Sequence, residues 1–159
     1  MANKVQTGMQ GVYLVAAELS ARGFIVSVTS RNAFGADLLV TDQHCEKAWS
    51  VQVKTNHQAM SFWLVSKYAK TINSPSHVYV FVNLKGKERP EYYIVPSESV
   101  AGHIYVQKSK NGTWYSFDRS DAKPHLDGWD EAFGSPAPPA EANLDSSDNL
   151  SNRGSARLN

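Results

Sequence analysis

The chain has 159 residues and a net charge of +1, with 42% hydrophobic and 19% charged residues. That composition suits one globular domain with a core to bury, and it excludes a fibre, a wholly disordered chain and a strongly basic nucleic-acid coat. Any nucleic-acid contact has to come from a local patch, and charge does divide along the chain: residues 1–110 carry 12 Lys and Arg against 7 Asp and Glu, whereas residues 111–159 carry 4 against 8.

Val12, Val15, Ala16 and Leu19 recur at the spacing of one apolar helical face, and Gly23 follows Arg22 as a stop. The spacing predicts a helix over about 9–22, with Gly8-x-x-Gly11 as a tight entry turn ahead of it. Phe24-Ile-Val-Ser-Val-Thr is β-branched and reads as a strand; a polar turn at Ser30–Gly35 leads to a second strand, Ala36-Asp-Leu-Leu-Val, that begins with a carboxylate. After a short turn at Asp42–Glu46, the alternation of Ala48-Trp-Ser-Val-Gln-Val-Lys predicts a third strand, so a helix is followed by an antiparallel meander. Residues 57–59 read as loop and 66–72 as a short basic helix, which Ser74-Pro-Ser ends. His77-Val-Tyr-Val-Phe-Val-Asn-Leu is apolar on both faces, which predicts a central strand covered on both sides. A further strand follows over 91–96, then a short helix capped by Ser97, a hairpin from 103–106 and 113–117 turning at Asn111-Gly112, and a last helical turn at 129–133. The order predicts an α/β fold with a mixed central sheet flanked by helices over 1–133. From Gly134 the chain has three prolines, no aromatic residue and almost nothing to bury, so 134–159 is expected to be a disordered tail.

Several chemistries are disfavoured. The single cysteine, Cys45, has no intramolecular partner and fits a reducing compartment, so a cytoplasmic location is expected. No apolar run approaches the roughly 20 residues that span a bilayer, and the stretch after Lys4 is cut by Glu18, so neither a membrane helix nor a signal peptide is expected. The five histidines show no HExxH spacing and Cys45 no CxxC partner, which argues against zinc. Gly86-Lys87 lacks the upstream glycine of a P-loop, no GxGxxG follows a strand and no GxSxG is present, so no nucleotide cofactor is expected.

The residues that do carry chemistry sit on the meander. Gln52 and Lys54 share one face of the third strand, and the short connection makes the Asp37 strand its neighbour, so three polar groups converge. A carboxylate and an amide oxygen, with the Val53 backbone carbonyl as a third donor, are hard ligands suited to Mg²⁺, with Mn²⁺ as a substitute. A lysine beside them can hold or activate an attacking water, or offset charge on a phosphate.

Asp37, fifteen residues and then Gln52-x-Lys54, after a helix and Gly23-Phe24, resembles the PD-(D/E)XK nuclease superfamily. Gly8-x-x-Gly11, Arg31-Asn-Ala-Phe-Gly-Ala-Asp-Leu-Leu, Val51-Gln-Val-Lys-Thr, Val80-Phe-Val-Asn and Tyr93-Ile-Val-Pro-Ser extend the likeness, over about 8–131, to a group of small bacterial proteins with that fold. The resemblance implies a restriction-endonuclease-like core and Mg²⁺-dependent cleavage of DNA phosphodiester bonds, with Asp37 and Gln52 holding the ion and Lys54 positioning water. By analogy, a homodimer is expected for cutting a duplex. Relatives carry a helix-one glutamate at the position of Val12; Glu18 is the acid of this helix, about 120° around from Val12, and joins the catalytic candidates on condition that the helix is rotated. Arg31, Asn32, Thr55, Asn56, Lys67 and Lys70 lie on neighbouring segments and are candidates for tracking phosphates. Val12 and the neutral Gln52 support an alternative, a nuclease-like module that has lost catalysis and binds nucleic acid or a protein partner. A purely structural interaction protein, docking through its acidic C-terminal part, is a third reading.

Overall fold

Asn3 starts the first helix with a reciprocal pair of bonds: its Oδ1 accepts from the Gln6 N–H at 2.9 Å while its own N–H donates to Gln6 Oε1 at 3.0 Å. In the computed structural model, which describes residues 3–30 and 34–135, that capping box opens α1 at Lys4, ahead of the expected start, and α1 runs Lys4–Ala21. Gly8 and Gly11 therefore lie inside the helix and do not form an entry turn. Gly11 has a packing reason: a Cβ built there would lie 1.8 Å from Thr55 Oγ1 and 2.9 Å from Thr55 Cβ, so the helix approaches the sheet at a distance that only a glycine permits.

The meander forms as expected. β1 (Ile25–Val28), β2 (Leu38–Thr41) and β3 (Ala48–Asn56) pair antiparallel, with Leu38 opposite Val51. β3 then pairs in parallel with β5 (His77–Lys85), whose other neighbour is the antiparallel β6 (Glu88–Pro96), giving the order β1-β2-β3-β5-β6. Between β3 and β5 the chain adds β4 (Phe62–Leu64) and a 3-10 turn at Lys67–Lys70. β4 joins the hairpin of β7 (Tyr105–Ser109) and β8 (Gly112–Asp118) in a second, three-stranded sheet that sequence periodicity does not show, because β4 is only three residues long. The helices α2 (Ser97–Gly102), α3 (Arg119–Ala122) and α4 (Trp129–Phe133) are short.

The two-sided apolar run in β5 feeds two cores. Val78, Val80 and Val82 pack with Val51, Val53 and the α1 residues Val12, Val15 and Leu19. Tyr79 and Phe81 face the opposite way and pack with Trp63, Tyr93, Val95 and Phe117 beneath the small sheet. Each fully buried aliphatic of this kind contributes about 1.5–3 kcal/mol by leaving water. Trp63 donates its indole N–H to the Val82 carbonyl at 3.0 Å. Arg119 ties the small sheet to β6, donating to the Tyr93 hydroxyl at 2.7 Å and to Glu91 at 3.0 Å.

His77 enters β5 almost fully buried, with Nδ1 2.7 Å from Ser50 Oγ and Nε2 without a partner among the described residues. Burial lowers its pKa from the ordinary 6.5. The folded protein thus binds this proton less readily than the unfolded chain, so stability is lost as pH falls from 6.5 toward the depressed value. The unfolding free energy from urea melts across that window should fall with acid by up to about 1.4 kcal/mol per pH unit, and His77→Phe should flatten the slope.

No helix among the described residues is long and apolar enough to cross a membrane. The tail expected over 134–159 lies, from residue 136, outside the described residues.

Candidate active site

β2 begins opposite Val51 while β3 runs on to Asn56, so the backbone edge of β3 beyond Val51 is left without a strand beside it. Asp37, the residue before β2, fills the first vacancy on that edge. Its N–H donates to the Val51 carbonyl at 2.8 Å, and its Oδ2 accepts from the Val53 N–H at 2.8 Å and from the Gln52 side-chain amide. Thr29 pins the approach from the other side, donating its hydroxyl to the Ala36 carbonyl at 2.7 Å. Asp37 is held by local backbone pairing, and the hairpin brings it to Gln52 as the sequence spacing requires.

Strand alternation separates the faces of β3. Val51 and Val53 point into the α1 core, while Gln52 and Lys54 line a cavity of about 260 Å³ on the opposite face, with Phe34, Tyr68, Ile72 and Tyr79. Burial pulls the Lys54 pKa below the ordinary 10.5; the Asp37 carboxylate opposes that shift, and Lys4 at the start of α1 adds to it. Lys54 makes no ion pair with Asp37 within 4.0 Å, so its nitrogen is near the carboxylate but not tied to it.

The donor chemistry fits a hard cation. Asp37 keeps its second oxygen outside these bonds, Gln52 carries an amide oxygen, and the Val53 carbonyl lies on the same strand edge as the N–H that meets Asp37. The set holds one negative charge, and the described residues contain no cluster of three His, Cys, Asp or Glu side chains. Val12, at the position where the resemblance calls for a glutamate, is buried in the α1 core and lines a cavity shared with Asp37. The match is therefore to an ion that keeps most of its waters.

Glu18 does not join this group. It lies in the second half of α1 and faces Arg89 of β6 at 4.0 Å, so the condition placed on its candidacy, a rotated helix, is not met. Arg22 pairs with Asp130 at 3.7 Å. Among the candidates for phosphates, Thr55 turns its hydroxyl under α1, buried and without a partner among the described residues. The Asn56 amide donates to the Phe62 carbonyl at 2.9 Å and to Asn83 Oδ1 at 3.1 Å, a structural duty that carries the chain into β4. Lys67 and Lys70 are exposed on the 3-10 turn beside the cavity. Arg31 and Asn32 lie outside the described residues. Sequence reading missed Phe34 and Tyr68, although Lys67-Tyr-Ala-Lys70, an aromatic between two cations, was visible as a signal.

No protein-family model matches the sequence, and no match is found among curated proteins. Solved structures do match. A bacterial homing endonuclease, I-Ssp6803I, shares 14% identity with a TM-score of 0.55, over 81% of this chain and 90% of that one. A Holliday junction resolvase from Archaeoglobus fulgidus, Hjc, shares 12% identity with a TM-score of 0.48, over 79% and 94%. The expected fold class, α/β with a mixed central sheet flanked by helices, is the one found, and the homing endonuclease shares it.

Proposed function

We propose that the chain is a Mg²⁺-dependent endonuclease that hydrolyses DNA phosphodiester bonds, and the observation that supports it best is the convergence of Asp37, Gln52, the Val53 backbone and Lys54 at the open edge of β3. Asp37, the Gln52 amide oxygen and the Val53 carbonyl hold the ion, and Mn²⁺ substitutes for it. When bound, Mg²⁺ supplies positive charge against the phosphate oxygens. Lys54, half-buried and with its pKa lowered by that burial, orients the attacking water and takes its proton. Lys67 and Lys70 meet neighbouring phosphates. A homodimer places two such sites on the two strands of a duplex. DNA as substrate is supported by the shared fold with a homing endonuclease, which is an argument from analogy.

The neutral Gln52 yields the test. Its amide nitrogen faces Asp37, so the hydrogen bond holds the two side chains together without an ion, and ligation requires the amide to turn its oxygen inward. Gln52→Glu sets two carboxylates against each other. Without metal, the thermal midpoint of that variant should fall by several degrees. With millimolar Mg²⁺ or Mn²⁺ it should recover, and calorimetry should show tighter ion binding than in the wild type. Nicking of plasmid and branched DNA should appear in the wild type and increase in Gln52→Glu. If both leave every substrate intact and neither binds the ion, the alternative takes over: a nuclease-like module that binds nucleic acid or a protein partner without cutting.

A further inference from the structure

Resting on the nuclease reading, we propose that the cavity beside Gln52 and Lys54 takes an unpaired nucleotide of the DNA substrate, its base stacked in the corner formed by Phe34 and Tyr68. The two rings meet edge to face, with centroids 4.8 Å apart and planes at 79°. Phe34 is 71% exposed and Tyr68 44%, so these large apolar surfaces face water next to the polar set. The left-handed backbone of Gly35, φ +79°, turns the chain between Phe34 and Asp37 and so sets the aromatic corner beside the carboxylate.

Charge completes the description of the occupant. Lys54 stands in the wall of the cavity, Lys67 places its Nζ 5.0 Å from the Tyr68 ring centroid, and Lys70 closes the same turn. Among the described residues no carboxylate lines the cavity, and Asp37 is bonded to Gln52 in its wall. A partner with a flat apolar face and a negative charge beside it satisfies both halves, which is the chemistry of a nucleotide. Inside a duplex the base faces are covered by their neighbours, so only a base outside the stack can lie against Phe34 or Tyr68. The substrate class that follows is DNA with an unpaired nucleotide next to the cut phosphate, as at a mismatch, bulge, flap or branch.

The test uses the full chain without metal and a 2-aminopurine base as the probe, either paired in a duplex or unpaired in a bulge of the same sequence, with the free 2-aminopurine nucleotide alongside. Bulged DNA should bind about tenfold tighter than the paired duplex, with its fluorescence quenched by stacking. Phe34→Ala and Tyr68→Ala should each remove most of that preference and the quench, while Tyr68→Phe retains both. Equal binding of paired and bulged DNA by the wild type overturns the proposal, as does a preference that survives both alanine variants. Free nucleotide bound as tightly as bulged DNA also overturns it and assigns the cavity to a mononucleotide. In any of those cases, cleavage of paired DNA by the wild type with Mg²⁺ leaves the nuclease reading standing. A retained preference without cleavage defeats that reading alone, and no binding to any DNA defeats both.

Discussion

Lys54→Ala should bind Mg²⁺ within about twofold of the wild type and lose about 10²–10⁴-fold in cleavage rate, because in the proposed mechanism it removes a group that acts on the water in the transition state and holds no part of the ion. The structure supplies the reason for the split: Lys54 sits beside Asp37 but makes no bond to it, so its removal leaves the Asp37 bonds to Gln52 and Val53 in place. Asp37→Ala should instead weaken ion binding and cleavage together. The pH profile separates charge from proton transfer. Burial lowers the Lys54 pKa from 10.5, so the neutral amine appears at a lower pH than in an exposed lysine, and cleavage should rise with pH across the window below 10.5. Lys54→Arg keeps a positive charge but does not release its proton, so it should show a flat profile and little recovery of rate. A Lys54→Ala variant that cuts at the wild-type rate would remove the lysine from the mechanism.

The second large effect is on stability, and it sets two glycines of one helix against each other. Gly8 has no atom within 4 Å of a Cβ built on it, whereas Gly11 would place its Cβ on Thr55. Gly8→Ala should therefore stabilise the domain by about 0.5–1 kcal/mol through helix propensity and a less flexible unfolded chain. Gly11→Ala gains the same propensity but forces α1 off β3, and the net loss should be about 1–3 kcal/mol, larger still for Gly11→Val. Turning the Thr55 side chain does not relieve the contact, because Thr55 Cγ2 would lie at 3.0 Å and Cβ at 2.9 Å. Adding Thr55→Ala to Gly11→Ala removes the hydroxyl and methyl overlaps and leaves the Cβ contact, so the double variant should recover part of the loss. Denaturant melts of the wild type, Gly11→Ala, Thr55→Ala and the double variant give this coupling directly. Equal stability of Gly8→Ala and Gly11→Ala would show that the helix does not depend on this approach.

How much of this could be read from residues alone follows the range of the interactions. The Asp37 and Gln52 pairing was legible because both lie on one hairpin, where alternation and a short connection determine which side chains meet. The central position of 77–84 was legible because a strand apolar on both faces has to be covered twice. Glu18 was not, since an angle around its own helix says nothing of how that helix is rolled on the sheet; Arg89, from a strand far along the chain, turned out to be its neighbour. The start of α1 was missed because Gly8 and Gly11 read as an entry turn, although Gly11 is there for the sheet and not for the helix. The Phe34 and Tyr68 corner joins segments with no shared periodicity, and only the packing of the 3-10 turn brings them together.

The β2–β3 hairpin also bears on the order in which the molecule assembles. Asp37, Gln52 and Lys54 lie within one short stretch of chain, and closing a hairpin of that size takes about 1–10 μs. The parallel pairing of Ser50 with His77 has to wait for β4 and the 3-10 turn to be laid down between them, a non-local step that is intrinsically slower. A nascent chain is thus expected to hold its acid and amide together before it owns the wall of Tyr68 and Tyr79 that encloses Lys54, so the polar pair is ready early and the cavity beside it comes last.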